Sequence, residues 1–108
     1  MENMKQIQKE IRMMHAGICQ AIADPKRILI LYTLHEKEYH VTALADLLEL
    51  PQPTISRHLR VLHQNALVNK KRAGAAVYYS LADSRVIKAL DIMRAVMVDA
   101  LTQQSDLF

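Results

Sequence analysis

The sequence predicts a mainly α-helical domain carrying one small β-hairpin, and three observations predict it. Apolar residues recur at helical spacing along most of the 108 residues. Leu, Ile, Val, Met and Ala do the filling, while aromatics reach only 5% with no Trp, a helical composition more than a sandwich one. A single stretch rich in Val and Tyr surrounds Gly74, as a hairpin requires. The length suits one domain, residues 1–108, without repeat or linker.

Ile7, Ile11, Met14, Ile18 and Ile22 define a first helix over about 3–22. Asp24 followed by Pro25 reads as an N-cap with proline at the first helical position, opening a second helix that ends near Glu36. Lys37–His40 is a short connection. Val41–Leu48 forms a short third helix with Leu44, Leu47 and Leu48 inward, and Pro51 stops it. A fourth helix starts near 52, with Ile55, Leu59 and Leu62 buried and Gln52, Ser56, Arg57 and Arg60 on the opposite side. Thr54 and His58 fall on its flank. Two short helices joined by a tight turn, the second polar and Arg-bearing outside, describe a helix-turn-helix over about 41–63.

Residues 67–81 then read as a hairpin turning at Gly74, a wing whose first strand carries Lys70, Lys71 and Arg72. Asp83 caps a last helix over about 83–102, with Ile87, Leu90, Met93, Val96, Met97, Ala100 and Leu101 in a wide apolar arc. The order is α-α-α-α-β-β-α, a winged helix-turn-helix. Apolar stripes on both terminal helices exceed what a small monomer easily covers and point to a homodimer joined through them. The alternative is that both stripes form the monomer's own core.

Charge distribution points to the partner. The formal net charge is +3, but residues 51–80 hold Arg57, Arg60, Lys70, Lys71 and Arg72 and no acid, between two flanks that each sum to −1. Such a segment suits a polyanion. Gln52, Thr54, Ser56, Arg57 and His58 supply donors and acceptors for base edges in a major groove. Arg60, Lys70, Lys71 and Arg72 suit phosphates. Thr54 and Ser56 have the alternative of local backbone hydrogen bonding, and His58 that of packing on the flank.

Other classes are poorly served. No apolar run reaches the ~18 residues of a membrane span. The polar, mixed-charge segment Met1 to Glu10 is not a signal peptide. One cysteine, Cys19, excludes an intramolecular disulfide and fits a cytoplasmic protein. No nucleophile–base pair, paired carboxylates or phosphate loop suggests an enzyme.

The chain resembles the ArsR/SmtB winged-helix repressors. The carriers are Ala23-Asp24-Pro25-Lys26-Arg27-Ile28-Leu29-Ile30-Leu31, Leu44-Ala45-Asp46-Leu47-Leu48, Pro51-Gln52-Pro53-Thr54-Ile55-Ser56-Arg57-His58-Leu59, Leu67-Val68, Gly74 and Val77-Tyr78-Tyr79-Ser80-Leu81. They run in order across residues 20–85. The resemblance implies a homodimer that binds an imperfect palindrome in double-stranded DNA and represses transcription until a metal, redox or small-molecule signal arrives.

The family's metal-sensing positions are not kept. His40 and Thr42 stand where a Cys-x-Cys pair begins the third helix in thiolate sensors. Asp83 is retained, but Arg85, Val96 and Asp99 replace the imidazoles of the last-helix zinc site, and one retained ligand of four cannot hold zinc. A second cysteine for a sulfur-responsive bridge is absent. No cofactor is therefore expected. His15 and Cys19, one turn apart on the first helix, could contribute two soft ligands per subunit. The alternatives are a small buried thiol beside an ordinary histidine, an oxidisable thiol, or an intersubunit disulfide at Cys19. A different class of function remains open on the same fold: an adaptor whose basic face docks an acidic protein without reading DNA. The Arg-bearing outer face of residues 52–60 lacks the aromatic anchors such docking favours.

Overall fold

A computed structural model of the chain describes residues 3–104. Met1, Glu2 and residues 105–108 lie outside the described residues, among them the acids Glu2 and Asp106 counted in the flanks. Helix α1 runs Met4–Met14 and opens at Asn3, whose side-chain oxygen takes the Gln6 N–H at 2.8 Å. The helix then widens into a π-helical turn over His15–Cys19 before ending near Ala21, where a regular helix was expected throughout. A π-turn inserts one residue into the helical repeat and so rotates the stripe that follows it. Gly17 lies inside this turn. A Cβ on it would sit 3.2 Å from Asn65 Oδ1, so the missing side chain permits a close approach.

Helix α2 (Pro25–Glu36) begins as expected, with Asp24 Oδ1 accepting the Lys26 N–H at 2.8 Å and Pro25 in the first turn. That hydrogen bond also holds the Asp24 carboxyl below its usual range. The connection after α2 contains a strand the sequence did not disclose, β1 (Tyr39–His40), which pairs antiparallel with the wing. His40 also caps α3 (Val41–Leu48), its Nδ1 accepting the Thr42 N–H at 3.2 Å. Leu47 does not point inward as expected and is 54% exposed. The buried arc of α3 is centred between Leu44 and Ala45, and at about 100° per residue Leu47 falls roughly 100° away from it.

Glu49 closes α3 in the left-handed region, at φ 54°. Helix α4 (Gln52–Gln64) follows, with Ile55, Leu59 and Leu62 buried as expected. Strands β2 (Val68–Ala73) and β3 (Ala76–Leu81) form the hairpin, with Ala73 opposite Ala76 and Gly74 at φ 64° in a two-residue turn. The sheet order is β1-β3-β2. Helix α5 (Arg85–Gln103) starts later than expected. Ser84 is its N-cap, and Asp83 serves from one residue earlier by accepting the Arg85 N–H at 2.9 Å.

The core gathers Ile30, Leu31, Leu34, Leu44, Ile55, Leu59, Leu62, Leu67, Val68, Ile87 and Leu90 from the middle of the chain. The terminal helices contribute little to it. No residue of Met4–Met14 is buried, and α5 is exposed from Asp91 onward, with Val96 at 63% and Ile92, Met93 and Met97 over half exposed. Beyond Ile22, Ile87 and Leu90, the two apolar stripes are therefore not part of the core of this chain. Its radius of gyration, 16.5 Å, exceeds the ~13 Å of a compact domain of this length.

Candidate nucleic-acid interface

Helix α4 is anchored by its buried Ile, Leu and Leu, which aim the remaining side chains away from the core. Gln52, Arg57 and Arg60 are exposed, and Thr54, Ser56 and His58 are half-buried on the flanks. Pro51 supplies the first turn's carbonyl acceptor but no side-chain cap, so the positive end of the helix is unshielded. Gln52 Oε1 accepts from Thr42 Oγ1 at 3.4 Å, tying the start of α4 to the start of α3.

Helix α4 passes into β2 through Ala66, whose φ of 59° makes the reversal. Leu67 and Val68 are buried and hold the root of the wing, while everything from Asn69 to Ala75 is exposed. Lys70, Lys71 and Arg72 therefore extend beyond the core on a stiff two-stranded ribbon. Strand alternation sends Lys70 and Arg72 to one face and Lys71 to the other. They stand opposite Tyr79, Val77 and Tyr78 respectively. Burial raises the Tyr79 hydroxyl above its usual pKa, and the Arg60 charge opposes the rise. Tyr78 meets His40 edge-on, with ring centroids 5.6 Å apart, so β1 braces the wing from behind.

His58 is the site residue whose surroundings are most specific. Its Nδ1 lies 3.3 Å from Arg27 Nη1 of helix α2. Burial holds its pKa below the usual histidine value, Asp24 opposes that shift, and the Arg27 charge reinforces it. The ring thus sits on the flank of α4 with Nδ1 turned toward Arg27. Arg27 itself carried no role in the sequence reading. A guanidinium one turn into α2 faces the unfavourable end of the helix dipole and needs acceptors from elsewhere, a signal that was available.

Residues at the family's sensing positions are otherwise engaged. His40 caps α3. Asp83 pairs with Arg85 at 2.7 Å, and the Arg85 hydrogen bonds hold its carboxyl at about 2. The positions that accompany Asp83 hold Arg85, Val96 and Asp99, which offer no imidazole, so the set does not fit tetrahedral zinc. His15 is exposed and Cys19 half-buried in the π-turn; no group of three potential metal ligands occurs among the described residues. No helix among the described residues is long and apolar enough to cross a membrane.

Residues 24–70 match the family described as "Bacterial regulatory protein, arsR family". The chain is 38% identical over 84 residues to the nodulation protein NolR of Rhizobium meliloti, spanning 78% of this chain and 69% of that one. It is 34% identical over 92 residues to a transcriptional repressor SmtB homolog of Synechocystis, spanning 81% and 70%. The crystal structure of NolR from Sinorhizobium fredii superposes with a TM-score of 0.74 at 34% identity, covering 89% of this chain and 96% of that one. The match covers the helix-turn-helix and the root of the wing, so the chain belongs to the ArsR family and is a transcriptional regulator, not an enzyme.

Proposed function

We propose that two copies of this chain pair through α1 and α5 and bind an imperfect palindrome in double-stranded DNA, repressing transcription in the cytoplasm. In this reading α4 enters the major groove, where Gln52, Thr54, Ser56 and Arg57 meet base edges. Arg60 and the wing residues Lys70, Lys71 and Arg72 lie along phosphates. His58 stands on the flank, turned toward Arg27, and takes no base edge in this reading.

The observation that carries DNA binding is the acid-free run of residues 51–80, whose five cations are all exposed on α4 and the projecting wing. The dimer rests on surface area. The chain exposes 7840 Å², whereas a folded monomer of its mass exposes about 6,100 Å². Most of the exposed large apolar side chains stand on the terminal helices. Two such surfaces together supply the 2,000 Å² or more that a permanent homodimer buries. A two-fold axis between them sets two copies of α4 about 34–36 Å apart, one turn of DNA.

The reading gives no role to a resident metal, since His40 and Asp83 are committed to the fold. The charge reversal Arg57→Glu with Lys71→Glu tests it, using a duplex that the wild-type protein selects from a random-sequence pool. Binding should disappear while sedimentation still reports the wild-type assembly. For the wild type, each phosphate contact should add about 0.9 to the log–log salt slope. Unchanged affinity in the double variant would remove the proposed interface.

A further inference from the structure

The segment that ends the first helix meets the recognition helix directly at Asn65 and indirectly through Arg27 of α2, and neither link belongs to the apolar core. At the C-cap of α4, Asn65 meets the bare Gly17 backbone, while its own Nδ2 donates to Val61 O at 2.9 Å. At mid-helix the link is Arg27, only 16% exposed at its side chain. Its Nε donates to Ala21 O and its Nη2 to Gln20 O, the last carbonyls of α1. Its Nη1 reaches His58 Nδ1, and Asp24 Oδ2 stands 3.8 Å away. One planar guanidinium thus joins the end of the first helix, the start of α2 and the middle of α4.

The chemistry of that contact is directional. Arginine is always a donor. His58 Nδ1 must therefore accept, which requires a neutral ring with its proton on Nε2. We infer that Arg27 is a positioning residue for DNA recognition, holding α4 in register with the end of α1 through a neutral His58, and that His58 acts through this bond instead of reading a base. The inference rests on the DNA-binding reading above.

Protonation breaks the bond by removing the acceptor and setting a second cation against the guanidinium. The charged groups facing His58 are Asp24, Lys26 and Arg27 of α2 and Arg57 of its own helix. Burial disfavours the charged ring most, Asp24 opposes it, and the three cations add to it, so the neutral ring is favoured. The bond is accordingly intact at pH 7 and is lost as the pH falls below the ordinary histidine value of ~6.5. The sign is diagnostic. A histidine contacting phosphate would strengthen binding when protonated, whereas a positioning histidine weakens it.

The experiment measures affinity for the wild-type-selected duplex by fluorescence anisotropy from pH 8 to pH 5 at several salt concentrations. His58→Asn places an acceptor oxygen near the Nδ1 position. His58→Gln reaches only to the Nε2 position and leaves Arg27 without its partner. The expected results are near-wild-type affinity with a flatter acidic limb for His58→Asn, and a loss of about tenfold, comparable to a mismatched base pair, for His58→Gln. Arg27→Lys should behave like His58→Gln, because an ammonium cannot serve three separated acceptors at once. None of these losses should change the salt slope, since no phosphate contact is removed. If Arg27→Lys does not fold, the two His58 variants and the wild-type pH profile decide the matter alone. Retained affinity in His58→Gln with loss in His58→Asn would overturn the inference in favour of direct contact through Nε2, as would wild-type binding that tightens through His58 on acidification. A wild-type protein that selects no duplex overturns the DNA-binding reading, and this inference with it.

Discussion

Helices α4 and α5 are built to the same inner plan and differ in what they show outside. Each buries a short apolar row against the same core, Ile55, Leu59 and Leu62 in one and Ile87 and Leu90 in the other. The outer face of α4 carries Gln52, Arg57 and Arg60, and the wing beside it adds three more cations. The outer face of α5 carries Ile92, Met93, Val96 and Met97. Water tolerates the first arrangement indefinitely, and a strong polyanion improves it. Exposing the second costs free energy in proportion to area, so it calls for another apolar surface. Burial by itself therefore ranks these two helices alike, and only the exposed side chains separate a nucleic-acid face from an assembly face.

Substitutions on each side should break that contrast differently. The largest effect is expected from Val96→Glu with Met97→Glu. Both side chains are more than half exposed in the single chain, so the change barely disturbs a monomer. In a dimer it buries two carboxylates per copy without partners, at several kcal/mol each. Sedimentation should show monomers, and DNA affinity should fall by orders of magnitude. An intact dimer would place the interface elsewhere. Leu59→Ala acts on the other helix from within. Leu59 is fully buried, so the truncation should cost about 2–5 kcal/mol in chemical denaturation, with a midpoint shift that persists when the protein concentration is raised. The Glu pair should instead depend on concentration by mass action. The smallest effect is expected at Gly17, which meets the C-cap of α4. Alanine there gains about 0.5–1 kcal/mol of helix propensity but pushes on Asn65 Oδ1 at 3.2 Å. The two terms should cancel to within about 1 kcal/mol. A loss of several kcal/mol would show that the α1–α4 approach is rigid.

Much of this was legible in the chain order. Asp24-Pro25, Pro51 with Pro53, and Gly74 each impose a backbone conformation that few alternatives satisfy, so the starts of α2 and α4 and the hairpin turn fell where expected. The row Ile55, Leu59, Leu62 fixed which side of α4 would face outward. Three features were not legible, for different reasons. A two-residue strand such as Tyr39–His40 has no periodicity to detect, and it exists because β3 offers it a partner. The π-turn has no local periodic signal, and Gly17 within it approaches Asn65, 48 residues away along the chain. Leu47 was misplaced because eight residues leave the inward arc of α3 undetermined until its neighbours pack.

The candidate site divides in the same way. The cations of residues 51–80 are visible in sequence because charge needs no contact to be counted. The role of Arg27 is not, because it depends on Gln20, Ala21, Asp24 and His58 converging from three helices. Sequence by itself determined the elements set by local backbone chemistry, the polar-outward face of α4, the basic wing and the surplus of apolar stripe. Tertiary structure alone decided which stripes stay uncovered, that His40 and Asp83 serve the fold, and that His58 answers to Arg27. The physical reason is range: capping, proline and periodicity act within a few residues, whereas burial and hydrogen-bond partnership are settled only when distant segments compete for the same space.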